Sequence, residues 1–250
     1  MSSQTDLARL TVEQFADRFR AEMIPLGAKF SYFFIAMPLT EEDEREYLFE
    51  PVAALPPTLI YALPKVSIAL VPFLERTNGK AGEHIISLER PPENRQAVYA
   101  KVRAGEEATL VFAIQDRDVG DYHYFFYRAL AELYAEKLPA EVELKYFGQL
   151  REELGAHVHG EVDEASWRLK QALVRRQSNF RKESKNFREY AVQSFIDTLT
   201  LYLHGLCCDI DVDTGPRQLP SRYLRKRLEI LKTLLPPPSG YAVFPEDVRE

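Results

Sequence analysis

His157, His159 and Glu161 alternate along the string His157-Val158-His159-Gly160-Glu161. In an extended chain alternate side chains share a face, so the three would converge on one point. Two imidazoles and a carboxylate suit zinc, iron or another divalent transition metal. His204, Asp197 or Asp163 would supply a fourth ligand. An open coordination position would hold an activated water, with Glu164 or Glu153 as general base. The same residues also have a plainer reading. Glu161, Asp163 and Glu164 stand just before a helical pattern, where acids favour the helix dipole without any metal.

A second set shares one helical face. Glu189, Gln193, Asp197, Thr200 and His204 recur at helical spacing and interrupt an otherwise apolar pattern of Tyr190, Val192, Phe195, Ile196, Leu199 and Leu203. Such a stripe is either the solvent edge of the helix or the lining of a site. In the second case Asp197 and His204 act as ligands or as an acid–base pair, or Asp197 orients an imidazole. The two cysteines, Cys207 and Cys208, adjoin this stripe and are neighbours, a geometry in which they rarely bridge each other. They could act as thiolate ligands beside His204 or as inert buried side chains. The run Asp209, Asp211, Asp213 begins like a calcium loop, but positions six and twelve are Thr214 and Pro220, which fit neither role.

A third set is Asp116, Asp118, Asp121 and His123, placed where a strand gives way to a helix. That order is similar in outline to zinc metallopeptidases, whose active helix follows an edge strand. The helix here reads His123-Tyr124-Phe125-Phe126-Tyr127, without the glutamate and second histidine of H-E-x-x-H. The likeness therefore implies a degenerate fold relative without peptidase activity. Phosphate-cradling glycine strings and the G-x-S-x-G elbow are absent too.

The elements that must position these groups follow from pattern and punctuation. Thr11-Val12-Glu13-Gln14 is a capping box opening a helix, and Thr40-Glu41-Glu42-Asp43 opens another. Phe30–Met37 fits a buried strand or a short buried helix. Val66–Glu75, Glu83–Glu89, Gln96–Arg103 and Glu107–Gln115 read as strands, with Asn78-Gly79 as a turn signal between the first two. Short turns between them predict antiparallel pairing. Helices are expected over Gly120–Leu138, Ala140–Leu154, Val162–Lys182, Asn186–Leu206 and Arg222–Leu235, the last with Ser221 as N-cap.

The fold expected is α+β: an antiparallel sheet of about four strands in the first half (about 28–117) packed against a helical second half (about 118–236). The whole of 1–250 forms a single domain with an extended tail over 237–250.

Of the 250 residues, 46% are hydrophobic and 28% charged, and the net charge is −6. Residues 165–188 carry eight basic side chains against one acid, and 217–232 carry six against one. The expected explanation is intramolecular charge complementarity plus solvated helix faces, with phosphate or nucleic-acid contact less favoured in an acidic chain. The opening Met-Ser-Ser-Gln-Thr-Asp is no secretory signal, and the expected location is cytoplasmic, without a membrane span.

Three functions follow, in order: a non-catalytic binding or structural protein; a metal-dependent hydrolase-like enzyme using His157, His159, Glu161 and His204 with Asp197 and Glu164; and a binder of anionic partners through the basic helices.

Overall fold

The computed structural model describes residues 10–77, 83–175, 184–208, 217–244 and 246. The chain is mixed α/β and divides into two compact units, one of residues 1–53 and 61–129, the other of 54–60 and 130–250.

The first unit begins with α1 (Val12–Phe19), whose capping box forms as expected: Thr11 Oγ1 accepts from Gln14 N and Gln14 Oε1 accepts from Thr11 N. Strands β1 (Ile24–Pro25) and β2 (Phe30–Phe34) follow, then α2 (Glu41–Glu44), a wide helical turn Arg45–Phe49 and α3 (Glu50–Ala53); most of α4 (Pro57–Ala62) belongs to the second unit. Strand β3 (Lys65–Val71) is next. Its Val66–Val71 run is apolar but for Ser67, with no strict alternation, as suits a strand covered on both faces. Pro72 ends it, because proline cannot donate to a ladder. Phe73–Arg76 (β4) then joins a different sheet. Strands β5 (His84–Ser87), β6 (Gln96–Ala97), β7 (Tyr99–Ala104) and β8 (Glu107–Ala113) complete the set.

The larger sheet has the order β1-β2-β3-β8-β7, and the smaller has β5-β4-β6. The expected antiparallel sheet of about four strands is corrected here. β2, β3 and β8 run parallel, with Phe30 opposite Val66 and Val66 opposite Ala108, and only the edge strands β1 and β7 pair antiparallel. Two predicted strands are each split between the sheets. Val66–Glu75 divides at Pro72, and Gln96–Arg103 divides at Val98. The predicted turn Asn78-Gly79 lies outside the described residues. The core sets Phe15 and Phe19 of α1 against Ala69, Val71, Val111 and Ala113 of the parallel strands.

Helix α5 (Val119–Ala135) starts in the first unit and ends in the second. The second unit continues with α6 (Ala140–Gly155), α7 (Glu164–Arg175), α8 (Lys185–Cys207) and α9 (Ser221–Leu234). α7 lies along α8, and α9 packs on α6 and α8. Ser184 caps α8 by accepting from Phe187 N, and α8 buries residues round most of its girth. At α9 the cap is one residue earlier than expected: Pro220 holds that position, and Ser221 is the first helical residue. Beyond α9 the chain folds back on it, where the Phe244 ring lies 4.6 Å from the Arg225 guanidinium and Glu246 pairs with Arg225.

No described helix is long and apolar enough to cross a membrane.

Candidate functional site

The second unit buries a cluster of charge contributed by four of its segments. Glu153 comes from α6, Glu161 from the connection after it, Lys170 from α7 and Arg227 from α9, and each is at most 3% exposed. Two carboxylates face two cations, so the cluster is neutral by count. Arg227 is its hub. Nε and Nη2 donate as a fork to Glu153, with Nε 3.1 Å from Oε2. Nη1 and Nη2 donate as a second fork to Glu161 at 2.8 and 3.0 Å, and Nη1 reaches Ser194 Oγ at 2.9 Å. All five guanidinium N–H groups are thereby used. Lys170 Nζ donates to Glu161 Oε1 at 3.1 Å and to the Gly160 carbonyl at 2.8 Å. The Tyr190 hydroxyl donates to Glu161 Oε1. Burial alone would push the Glu161 carboxyl up. Arg227, Lys170 and the Tyr190 hydroxyl outweigh it and hold the carboxyl down at about 2. Burial lowers Lys170 against the pull of Glu161, and Tyr190 is raised well above the usual phenol range, by burial first and then by Glu161.

Glu161 reaches this cluster because the chain departs from extended geometry on either side of His159. His157 has φ +54° and Gly160 has φ +82°. His157 occupies the left-handed position just past α6. Its N–H donates to Leu154 O at 3.1 Å, and Val158 N–H donates to Glu153 O at 3.0 Å, a double closure that satisfies the last carbonyls of the helix. Gly160 lets the backbone pass close to the segment before α9; a Cβ there would stand 2.1 Å from Gln218 O. Glu161 N then donates to Arg217 O, and Leu219 N to Glu161 O. His157 and His159 stay exposed while Glu161 is buried.

The structure therefore does not gather the residues that the spacing nominated. Among the described residues, His157, His159, Glu161 and His204 form no trio with ligand atoms within 4.8 Å of one another. His204 is half-buried in the last turn of α8, and its carbonyl accepts from Cys208 N. Asp197 is 3% exposed and caps a different helix: Oδ2 accepts from Ser166 N in the first turn of α7, and Oδ1 accepts from Gln193 Nε2 at 2.8 Å. Glu164 is exposed and pairs with Arg168 and Arg217. Cys207 and Cys208 are half-buried and not disulfide-bonded, and Asp209, Asp211 and Asp213 lie outside the described residues.

Among the described residues, several side chains of the basic runs are engaged within the chain. Lys170 and Arg227 point inward, Arg188 pairs with Glu143 at 2.6 Å, and Arg225 pairs with Glu229 at 3.0 Å. No motif groups Arg227, Lys170 and Glu153, but the sequence carries a signal for two of them. Arg227 interrupts the stripe Leu224, Leu228, Leu231, and Glu153 shares the stripe of Tyr146 and Leu150. A charge on an apolar stripe asks for a buried partner of the other sign.

No protein-family profile, curated protein or solved structure matches the chain.

The first unit holds a separate polar cleft of about 220 Å3. Its floor is Phe73, Leu74, Ala97 and Ala113, and its rim carries Arg90, Arg117, Asp116 and Asp121 with Gln96 and Gln115. It lies beyond the carboxyl ends of β3 and β8, beside the smaller sheet. Of the third predicted set, Asp116 and Asp121 line it. Asp118 instead caps α5 through Gly120 N at 2.8 Å. His123 is buried, with Nε2 donating to Glu46 O at 2.8 Å.

Proposed function

We propose that the chain is a non-catalytic binding protein, with its helical unit as the structural support. The observation that carries this reading is the saturation of its two buried candidate carboxylates. Glu161 accepts from Arg227, Lys170, Tyr190 and Ser194, and Asp197 accepts from a helix N-terminus and Gln193. A carboxylate so engaged cannot take a metal or a proton without breaking buried hydrogen bonds, each costly to leave unmade. The competing reading is a metal-dependent hydrolase-like enzyme on His157, His159, Glu161 and His204. It would require Glu161 to leave Arg227 and Lys170 inside a water-poor interior.

Elemental analysis of purified, untagged protein separates the two. The binding reading expects no stoichiometric zinc, iron or manganese tied to these side chains, and a melting temperature indifferent to chelator. Stoichiometric metal that is lost in His157→Ala and His159→Ala would overturn it.

A further inference from the structure

We propose that the cleft beyond β3 and β8 binds a small zwitterion of the free α-amino acid class. This deepens the binding reading above and rests on it. The rim is electrically mixed, with two guanidinium and two carboxylate groups round one cavity of about 220 Å3. These charges are paired only in part, by the ion pair of Arg90 with Asp116. Arg117 and Asp121 have no side-chain hydrogen bond or ion pair among the described residues. Arg90 and Asp116 are 3.8 Å apart, too long for a hydrogen bond. Tighter pairs occur in the same unit, Arg95–Glu75 at 2.7 Å and Arg20–Asp17 at 2.8 Å, beside loose ones such as Arg20–Glu107 at 3.6 Å.

The ligand class follows by elimination. A bare anion would meet Arg90 and Arg117 but be repelled by Asp116 and Asp121. A metal cation would meet the reverse. Only a molecule carrying both signs gains from all four groups. Its carboxylate is taken by the arginines and its ammonium by the aspartates, while Gln96 and Gln115 offer amide hydrogen bonds. The floor of Leu74, Ala97 and Ala113 is apolar and buried, which suits an aliphatic side chain. The volume is below the roughly 300–1,000 Å3 of drug-sized pockets, so the ligand is a small metabolite and not a nucleotide or an extended peptide.

The test uses the full chain and the twenty standard free L-α-amino acids, screened by thermal shift and then titrated calorimetrically. At least one is expected to bind saturably. The amide and N-acetyl derivatives of that amino acid, each lacking one charge, are expected to bind at least tenfold more weakly. Arg117→Ala and Asp121→Asn should each weaken binding at least tenfold without lowering the melting temperature. Arg222→Ala, in the other unit, should change nothing. Absence of saturable binding by all twenty overturns the proposal, as does affinity equal for the charged and blocked forms or untouched by both cleft variants. The two readings fail separately. Histidine-dependent metal with amino acid binding intact overturns only the non-catalytic reading. Metal-free protein that binds none of the twenty overturns only the ligand assignment.

Discussion

His157 can be asked directly whether it is a ligand or a helix stop. Its backbone is left-handed, at φ +54°, and both hydrogen bonds that end α6 depend on that conformation. Glycine adopts it without a Cβ penalty. His157→Gly is therefore expected to hold or raise stability by up to ~1 kcal/mol in urea unfolding, with or without chelator. A loss that added zinc restores would point back to a metal site. Gly160 is the opposite case. Alanine there meets Gln218 O at 2.1 Å and must also hold φ +82°. Gly160→Ala should cost about 3 kcal/mol or more in the same measurement, from overpacking and left-handed strain together. Side chains 157, 159 and 161 share a face only where the backbone is regularly extended. Gly160 permits a left-handed turn without requiring one, and nothing in the string marks His157 as left-handed, so the face of Glu161 was not legible from spacing.

Local signals placed helices better than they paired strands. Capping boxes at Thr11 and Thr40 both form, since each involves only residues three apart. Helices α5 to α9 fall within a few residues of their predicted bounds wherever those ends are described. Pairing was harder because the partner is distant in sequence. Pro72 and Val98 divert the chain between sheets, and β3 finds β8 only after four intervening strands. The stripe on α8 was correctly seen as one face, but that face grades from exposed Glu189 to buried Asp197. Asp197, which the spacing allows as part of a solvent edge or of a lined site, is buried and closes the N-terminus of α7. Asp197→Ala should cost about 0.5–2 kcal/mol, as a lost cap does, and weaken amide-exchange protection in the first turn of α7. Asp197→Asn, which keeps the acceptor, should recover most of it. Equal losses in the two variants would argue that the charge itself is required.

For the protein as a whole, the buried charge cluster sets how stability responds to pH. The Glu161 carboxyl is held at about 2 when folded, against a usual 4.5. A depressed carboxylate stabilises above its unfolded value and loses that contribution as pH falls through the folded one. Stability should therefore decline between about pH 4.5 and 2 by on the order of 3 kcal/mol on account of this group. Glu161→Gln should flatten that part of the profile. Composition made a well-filled core legible, but not that two charges of each sign would share it. The misfits legible in the sequence are Arg227 among leucines and Glu153 on the stripe of Tyr146 and Leu150.

The account stands on Glu161 and Arg227 being held for each other inside the helical unit. A double-mutant cycle with Glu161→Leu, Arg227→Met and the pair, followed by urea unfolding at neutral pH, measures that dependence. Each single change is expected to cost about 3–5 kcal/mol by stranding a buried charge. The double should cost less than the sum, by at least ~1 kcal/mol. Additive losses, or a single Glu161→Leu that leaves stability intact, would contradict it.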